Sequence, residues 1–142
     1  MCYSVRVKKV DKEKIAEVAK SHNLKLLVLF GSQVSGSTHG ESDVDVAYLA
    51  DKNLSFDEEV KLNSDLIPTF RNDKISLVNL KEAPPLLLKQ VVSNALVLYE
   101  NVPHIFEELF LRALRTYEEA RPIFELREFY LRNIINKYKH AG

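Results

Sequence analysis

The sequence predicts a small α/β (α+β) protein, a mixed sheet with helices packed on it and a long helix at the C-terminus. Two observations predict it. Short apolar runs at Leu24–Phe30, Asp43–Leu49, Ile75–Leu80 and Leu96–Tyr99 alternate with stretches whose apolar residues recur at helical spacing. From Pro103 to Lys139 the helical spacing then continues without another strand-like run. The expected organisation is a core over residues 1–100 and a helical extension over residues 101–142.

A chain of 142 residues, 46% hydrophobic and 28% charged, can bury a core without covalent or metal staples. Cys2 is the only cysteine, which excludes an internal disulfide and a cysteine-based zinc site and fits a reducing cytoplasm. The formal net charge is +0, so no whole-protein field favours nucleic acid or an anionic membrane, and no direct nucleic-acid binding is expected. No apolar run approaches the length of a membrane span.

In chain order, Val10 to Asn23 reads as an amphipathic helix. Asp11 is its N-cap, and Ile15, Val18, Ala19 and His22 share one face. His22 has no His or Cys partner at metal-ligand spacing and reads as a packing residue. Leu24 to Phe30 is apolar on both parities apart from Lys25, the pattern of a central strand buried on both faces. Ser35 to Gly40 is a surface loop by composition. Ser55-Phe56-Asp57-Glu58 is a capping box opening a helix that Pro68 distorts or ends. Ala83-Pro84-Pro85 starts another helix after the Ile75 strand. In the C-terminal stretch Pro122 is expected to kink the helix or divide it. Its apolar share is large for a terminal segment, so it either wraps the core or forms an interface.

The chemistry concentrates between Leu24 and Leu49. The apolar strand ends in Gly31-Ser32, ten residues follow, and the next strand opens with Asp43-Val44-Asp45. Residues i and i+2 of a strand point to one side, so Asp43 and Asp45 project together, with Val44 and Val46 turned to the core and the carboxylates outward. Two like charges that close call for a cation, and oxygen-only carboxylate ligands suit Mg²⁺, which prefers one or two carboxylates plus substrate phosphates. Gly31 lets backbone approach a phosphate, and N–H groups at a helix start attract anions.

Gly31-Ser32, the ten-residue interval and Asp43-x-Asp45 resemble the signature of nucleotidyltransferases related to DNA polymerase beta. The short length resembles the minimal nucleotidyltransferases, antitoxin components of HEPN/minimal-nucleotidyltransferase toxin–antitoxin pairs. The resemblance implies Mg²⁺ held by Asp43 and Asp45, ATP held by Gly31 and Ser32, and transfer of AMP to a tyrosine of a HEPN ribonuclease toxin. It implies a hetero-oligomer with that toxin; a homodimer is a further option. The ribonuclease itself is excluded. HEPN toxins carry an Arg followed within a few residues by His, and none of His22, His39, His104 or His140 stands so, Arg132 to His140 being too long an interval.

The chain departs from the family at a third position. A later strand is expected to carry another Asp, and the matching run Ile75-Ser76-Leu77-Val78-Asn79-Leu80 has Ser76 there. Serine is a weaker metal ligand and a poor base. Asp73 is nearby but on the other parity, and Glu41 precedes Asp43 by two. Two readings follow: an AMP transferase acting on its toxin, or a catalytically impaired nucleotide-binding antitoxin that neutralises by complex formation. A third, a small-molecule nucleotidyltransferase, lacks a second domain to build an acceptor pocket.

Overall fold

The computed structural model describes residues 11–31 and 43–140. Ser32, the Ser35–Gly40 loop, His39, Glu41 and Cys2 lie outside the described residues.

Strand β1 (Leu24–Phe30) is the axis of the fold. It pairs antiparallel with β2 (Val44–Ala50) on one side and with β4 (Leu96–Glu100) on the other. Strand β3 (Ile75–Asn79) pairs parallel with β2, which gives a mixed sheet in the order β3-β2-β1-β4. Leu26, Leu27 and Val28 are all fully buried, as a strand covered on both faces requires. Alternation then divides the core. Leu27, Leu29, Val44, Val46 and Tyr48 face one side, with Ile15 and Ala19 of α1 (Lys12–Ser21) and Leu62 and Leu66 of α2 (Phe56–Phe70). Leu26, Val28 and Ala47 face the other, with Leu88, Val91 and Val92 of α3 (Pro85–Ser93) and Leu109 and Ala113 of α4 (Ile105–His140).

The helix starts follow the local chemistry. Asp11 Oδ1 accepts from the Glu13 amide at 3.0 Å. At α2 the full capping box forms: Ser55 Oγ accepts from the Glu58 amide at 3.2 Å, and Glu58 Oε2 accepts from the Ser55 amide at 3.1 Å. Pro68 falls in the last turn of α2, which ends two residues later with Arg71 in the left-handed conformation at φ 54°. Proline removes one backbone donor, so a helix about to stop loses little.

Pro122 does not divide α4, which runs for 36 residues without a break. One missing hydrogen bond is a local cost of about 3 kcal/mol, and the surrounding turns keep theirs. Arg121, next to the proline, ion-pairs back to Glu118 at 3.4 Å and forward to Glu125 at 3.0 Å across it.

Side-chain ties lock the layers. His22 Nε2 meets Asp65 Oδ2 at 2.7 Å, joining α1 to α2 and making His22 a structural residue. Asn63 Nδ2 donates to the Ile75 carbonyl at 3.0 Å, joining α2 to β3. Fully buried Tyr48 donates its hydroxyl to Glu59, and burial together with that carboxylate pushes the phenol far above its usual range. Lys89 Nζ sits 3.7 Å from the centre of the Tyr117 ring, joining α3 to α4.

Leu27→Ala leaves a hole in the middle of β1 and is expected to cost about 2–5 kcal/mol in a urea titration. Phe56→Ala, at a side chain 79% exposed, is expected to change stability by less than about 0.5 kcal/mol.

Candidate functional site

Antiparallel pairing sets Phe30 opposite Asp45. The end of β1 and the start of β2 therefore meet at one edge of the sheet, and the residue after Phe30 is Gly31. Its φ of +78° favours glycine on conformational grounds. A second constraint is independent of the first: a Cβ at Gly31 would overlap Asp45 Oδ2 and stand 3.3 Å from Asp45 Cγ. From the sequence, Gly31 is expected to let backbone approach a phosphate. In the structure the group it admits is the Asp45 carboxylate.

Asp43 lies just before β2 and is exposed; Asp45 is the second residue of β2 and is half-buried. Burial raises the Asp45 carboxyl above its usual range, and the negative charge of Asp43 raises it further. The expectation that both carboxylates face outward needs correction for Asp45. It shares its side of the sheet with buried Ala47, the side covered by α3 and α4, because β2 is buried on both faces. The carboxylate sits at the rim of a core. A carboxylate whose charge is disfavoured by burial and by neighbouring Asp43, at a place where only glycine fits beside it, suits a hard divalent cation, which stabilises the negative charge.

Parallel pairing of β2 with β3 places Ser76 level with Asp45. Register partners on neighbouring strands point to the same side, so an exposed serine hydroxyl occupies the place beside Asp45 on the third strand. Asp73 does not substitute. The strand begins at Ile75, and Asp73 stays exposed in the bend before it. Among the described residues no group of three or more His, Cys, Asp or Glu side chains gathers. Sequence reasoning passed over Lys74. Its carbonyl accepts from the Val44 amide at 2.8 Å, and continuing the register one step sets Lys74 level with Asp43. The signal was present: Lys74-x-Ser76 has the spacing of Asp43-x-Asp45.

A cavity of about 650 Å³ opens at the opposite end of the sheet, where Asn23 precedes β1 and Asp51 and Lys52 follow β2. Its walls mix Asp51, Glu58 and Asp65 with Lys52 and Lys61, so no single charge sign dominates.

The metal-free protein is expected to gain stability when the repulsion is removed. Asp45→Asn should raise its Tm at neutral pH by on the order of 2 °C. A raised carboxyl pKa sets the sign: the native contribution is intact while Asp45 is protonated and is lost as pH rises through its folded-state pKa. The gap between variant and parent in calorimetry should therefore be small in acid and open toward neutrality. Gly31→Ala should destabilise at every pH, because it strains φ and displaces Asp45 together.

The chain matches the family described as polymerase beta, nucleotidyltransferase over residues 13–104. It is 30% identical over 125 residues to a protein adenylyltransferase MntA of Aphanizomenon flos-aquae, covering 81% of this chain and 83% of the relative. Among solved structures, a toxin–antitoxin with AMP-PNP superposes with a TM-score of 0.72 at 24% identity, covering 89% of this chain and 99% of that one. A complex of a tri-AMPylated HEPN toxin with its MNT antitoxin from Shewanella oneidensis gives 0.68 at 21% identity, covering 92% of this chain and 99% of that one. The fold agrees across both; the family match spans Gly31, Asp43, Asp45 and Ser76, and the chain belongs to the polymerase beta nucleotidyltransferase family.

Proposed function

We propose that this chain is a cytoplasmic antitoxin that transfers AMP from ATP to a tyrosine of a partner HEPN ribonuclease toxin and so silences it. One observation carries the reading. Where the end of β1 meets the start of β2, the charge of Asp43 reaches the Asp45 carboxyl and Gly31 beside it has no room for a side chain. Family membership brings a nucleotide substrate and a divalent metal. The relative called an adenylyltransferase and the relative solved with a tri-AMPylated toxin support protein AMP transfer as the reaction.

Asp43 and Asp45 are the residues that would hold Mg²⁺, and Gly31 and Ser32 those that would hold the triphosphate. The ion supplies positive charge to phosphate oxygens when bound. The chain's own part is positioning. Two carboxylates fixed on one strand end set where the nucleotide sits, and the Gly31 turn sets how closely backbone approaches it. In the transfer, the tyrosine oxygen bonds to the α-phosphorus, the bond to the bridging oxygen breaks and pyrophosphate leaves. The phenolic proton needs an acceptor, and Ser76 beside Asp45 is a poor one. A slow transferase is the consequence. The product places a bulky anion on the toxin.

The Ser76 register also favours a second reading, in which the site binds nucleotide and the chain neutralises its toxin by complex formation alone. Labelled ATP, Mg²⁺ and the partner separate the two. The transferase reading predicts label on the partner, lost in the Asp43→Ala/Asp45→Ala double variant. Neutralisation that survives the double variant, with no label transferred by the parent, assigns the chain to the second reading. Ser76→Asp is expected to raise the transfer rate by about 10-fold or more by restoring a base.

A further inference from the structure

The β2–β3 pair presents more than two carboxylates at the site. Val44 and Ile75 are register partners, and both are strand residues. The residues on either side of a strand residue project to the face opposite its own. Val44 and Ile75 turn toward α1 and α2. Asp43 and Asp45 on one strand, and Lys74 and Ser76 on the next, therefore project together to the other face. They form a patch of two rows, with Lys74 level with Asp43 and Ser76 level with Asp45. Neighbouring strands lie about 4.8 Å apart, a gap that a lysine's four-carbon stem lets its ammonium cross.

Lys74 is held at its backbone and uncommitted at its tip. Its amide donates to Asn72 Oδ1 at 2.8 Å, and its carbonyl accepts from the Val44 amide at 2.8 Å. The next carbonyl, that of Ile75, accepts from Asn63 Nδ2 at 3.0 Å. The Lys74 side chain is exposed, and among the described residues its ammonium makes no ion pair. Lys25 differs, its ammonium being tied to Asp51 at 2.9 Å. The residue at 76 matters here as well. A carboxylate there would give the ammonium an acid two residues along, on its own strand and its own face; serine leaves it without one.

We propose that Lys74 binds phosphate oxygens of the nucleotide, a cation fixed in the chain that complements the divalent ion at Asp43 and Asp45. This rests on the nucleotide site proposed above and adds a side chain that grips the phosphates directly. Charge selects the ligand. Two carboxylates by themselves repel a triphosphate, and an ammonium one strand away attracts it. An ammonium is a compact charge with three donors, so it accepts phosphate oxygens from several directions. The serine that weakens the site as a base thus leaves a neighbouring positive charge available to the substrate.

Calorimetric titration of the full chain with a non-hydrolysable ATP analogue and Mg²⁺ tests this without partner or turnover. Lys74→Met keeps most of the apolar stem and removes the charge. It should weaken binding by about 10-fold or more, and circular dichroism and Tm should not change, because the side chain is exposed. Lys74→Arg returns the charge and should recover most of the lost affinity. The gap between parent and Lys74→Met should narrow as salt is raised. Lys52→Met removes the same charge at the opposite end of the sheet and should bind as the parent does. Lys74→Met binding as tightly as the parent, losing no more than Lys52→Met, or gaining nothing back as Lys74→Arg overturns the role of Lys74 and leaves the nucleotide site standing. A parent that takes up no nucleotide overturns both.

Discussion

The carboxylate of Asp45 occupies the space that any side chain on residue 31 would need. That steric exclusion ties the end of β1 to the start of β2 and sets what can be built at this edge of the sheet. It also carries a cost. Asp45 is desolvated by its surroundings and repelled by Asp43, so the unliganded protein holds a charge arrangement that it would be more stable without. Such a local conflict persists when the rest of the structure over-determines it, and here the surroundings do.

The over-determination comes from β1. A strand buried on both faces fixes the register of its two neighbours, because a slip of one residue would turn every side chain of β2 over. Leu27, Val46 and Tyr48 against α1 and α2, and Val28 and Ala47 against α3 and α4, each resist that slip. The parallel β2–β3 pairing carries the alignment one strand further and brings Ser76 level with Asp45. Ser76 is thus placed by hydrophobic packing on both sides of the sheet.

Much of this was legible in the sequence. The four strands, the Asp11 cap, the Ser55 capping box and the proline start of α3 all rest on local rules that tertiary packing did not override. The Asp-x-Asp pair and the glycine were legible because period-two alternation turns spacing into direction. What the sequence could not supply was any fact that depends on strand neighbours. The contact between Gly31 and Asp45, the level placement of Ser76 and Lys74, and the rim position of Asp45 come from pairing across strands that are distant in the chain. Of the two outcomes expected for Pro122, a kink or a division, the division does not occur. One proline costs a single hydrogen bond and a clash, and a 36-residue helix has enough intact turns on either side to continue through it.

If the edge of the sheet is a metal–nucleotide site, nucleotide and cation must bind as one unit, because the carboxylates need the ion and the ion needs the phosphates. Calorimetric titration with a non-hydrolysable ATP analogue, in the presence and absence of Mg²⁺, measures this without requiring a partner or turnover. The account predicts saturable one-to-one binding that requires Mg²⁺ and disappears in Asp43→Ala/Asp45→Ala. Binding of equal strength without the ion, or undiminished in the double variant, would contradict it.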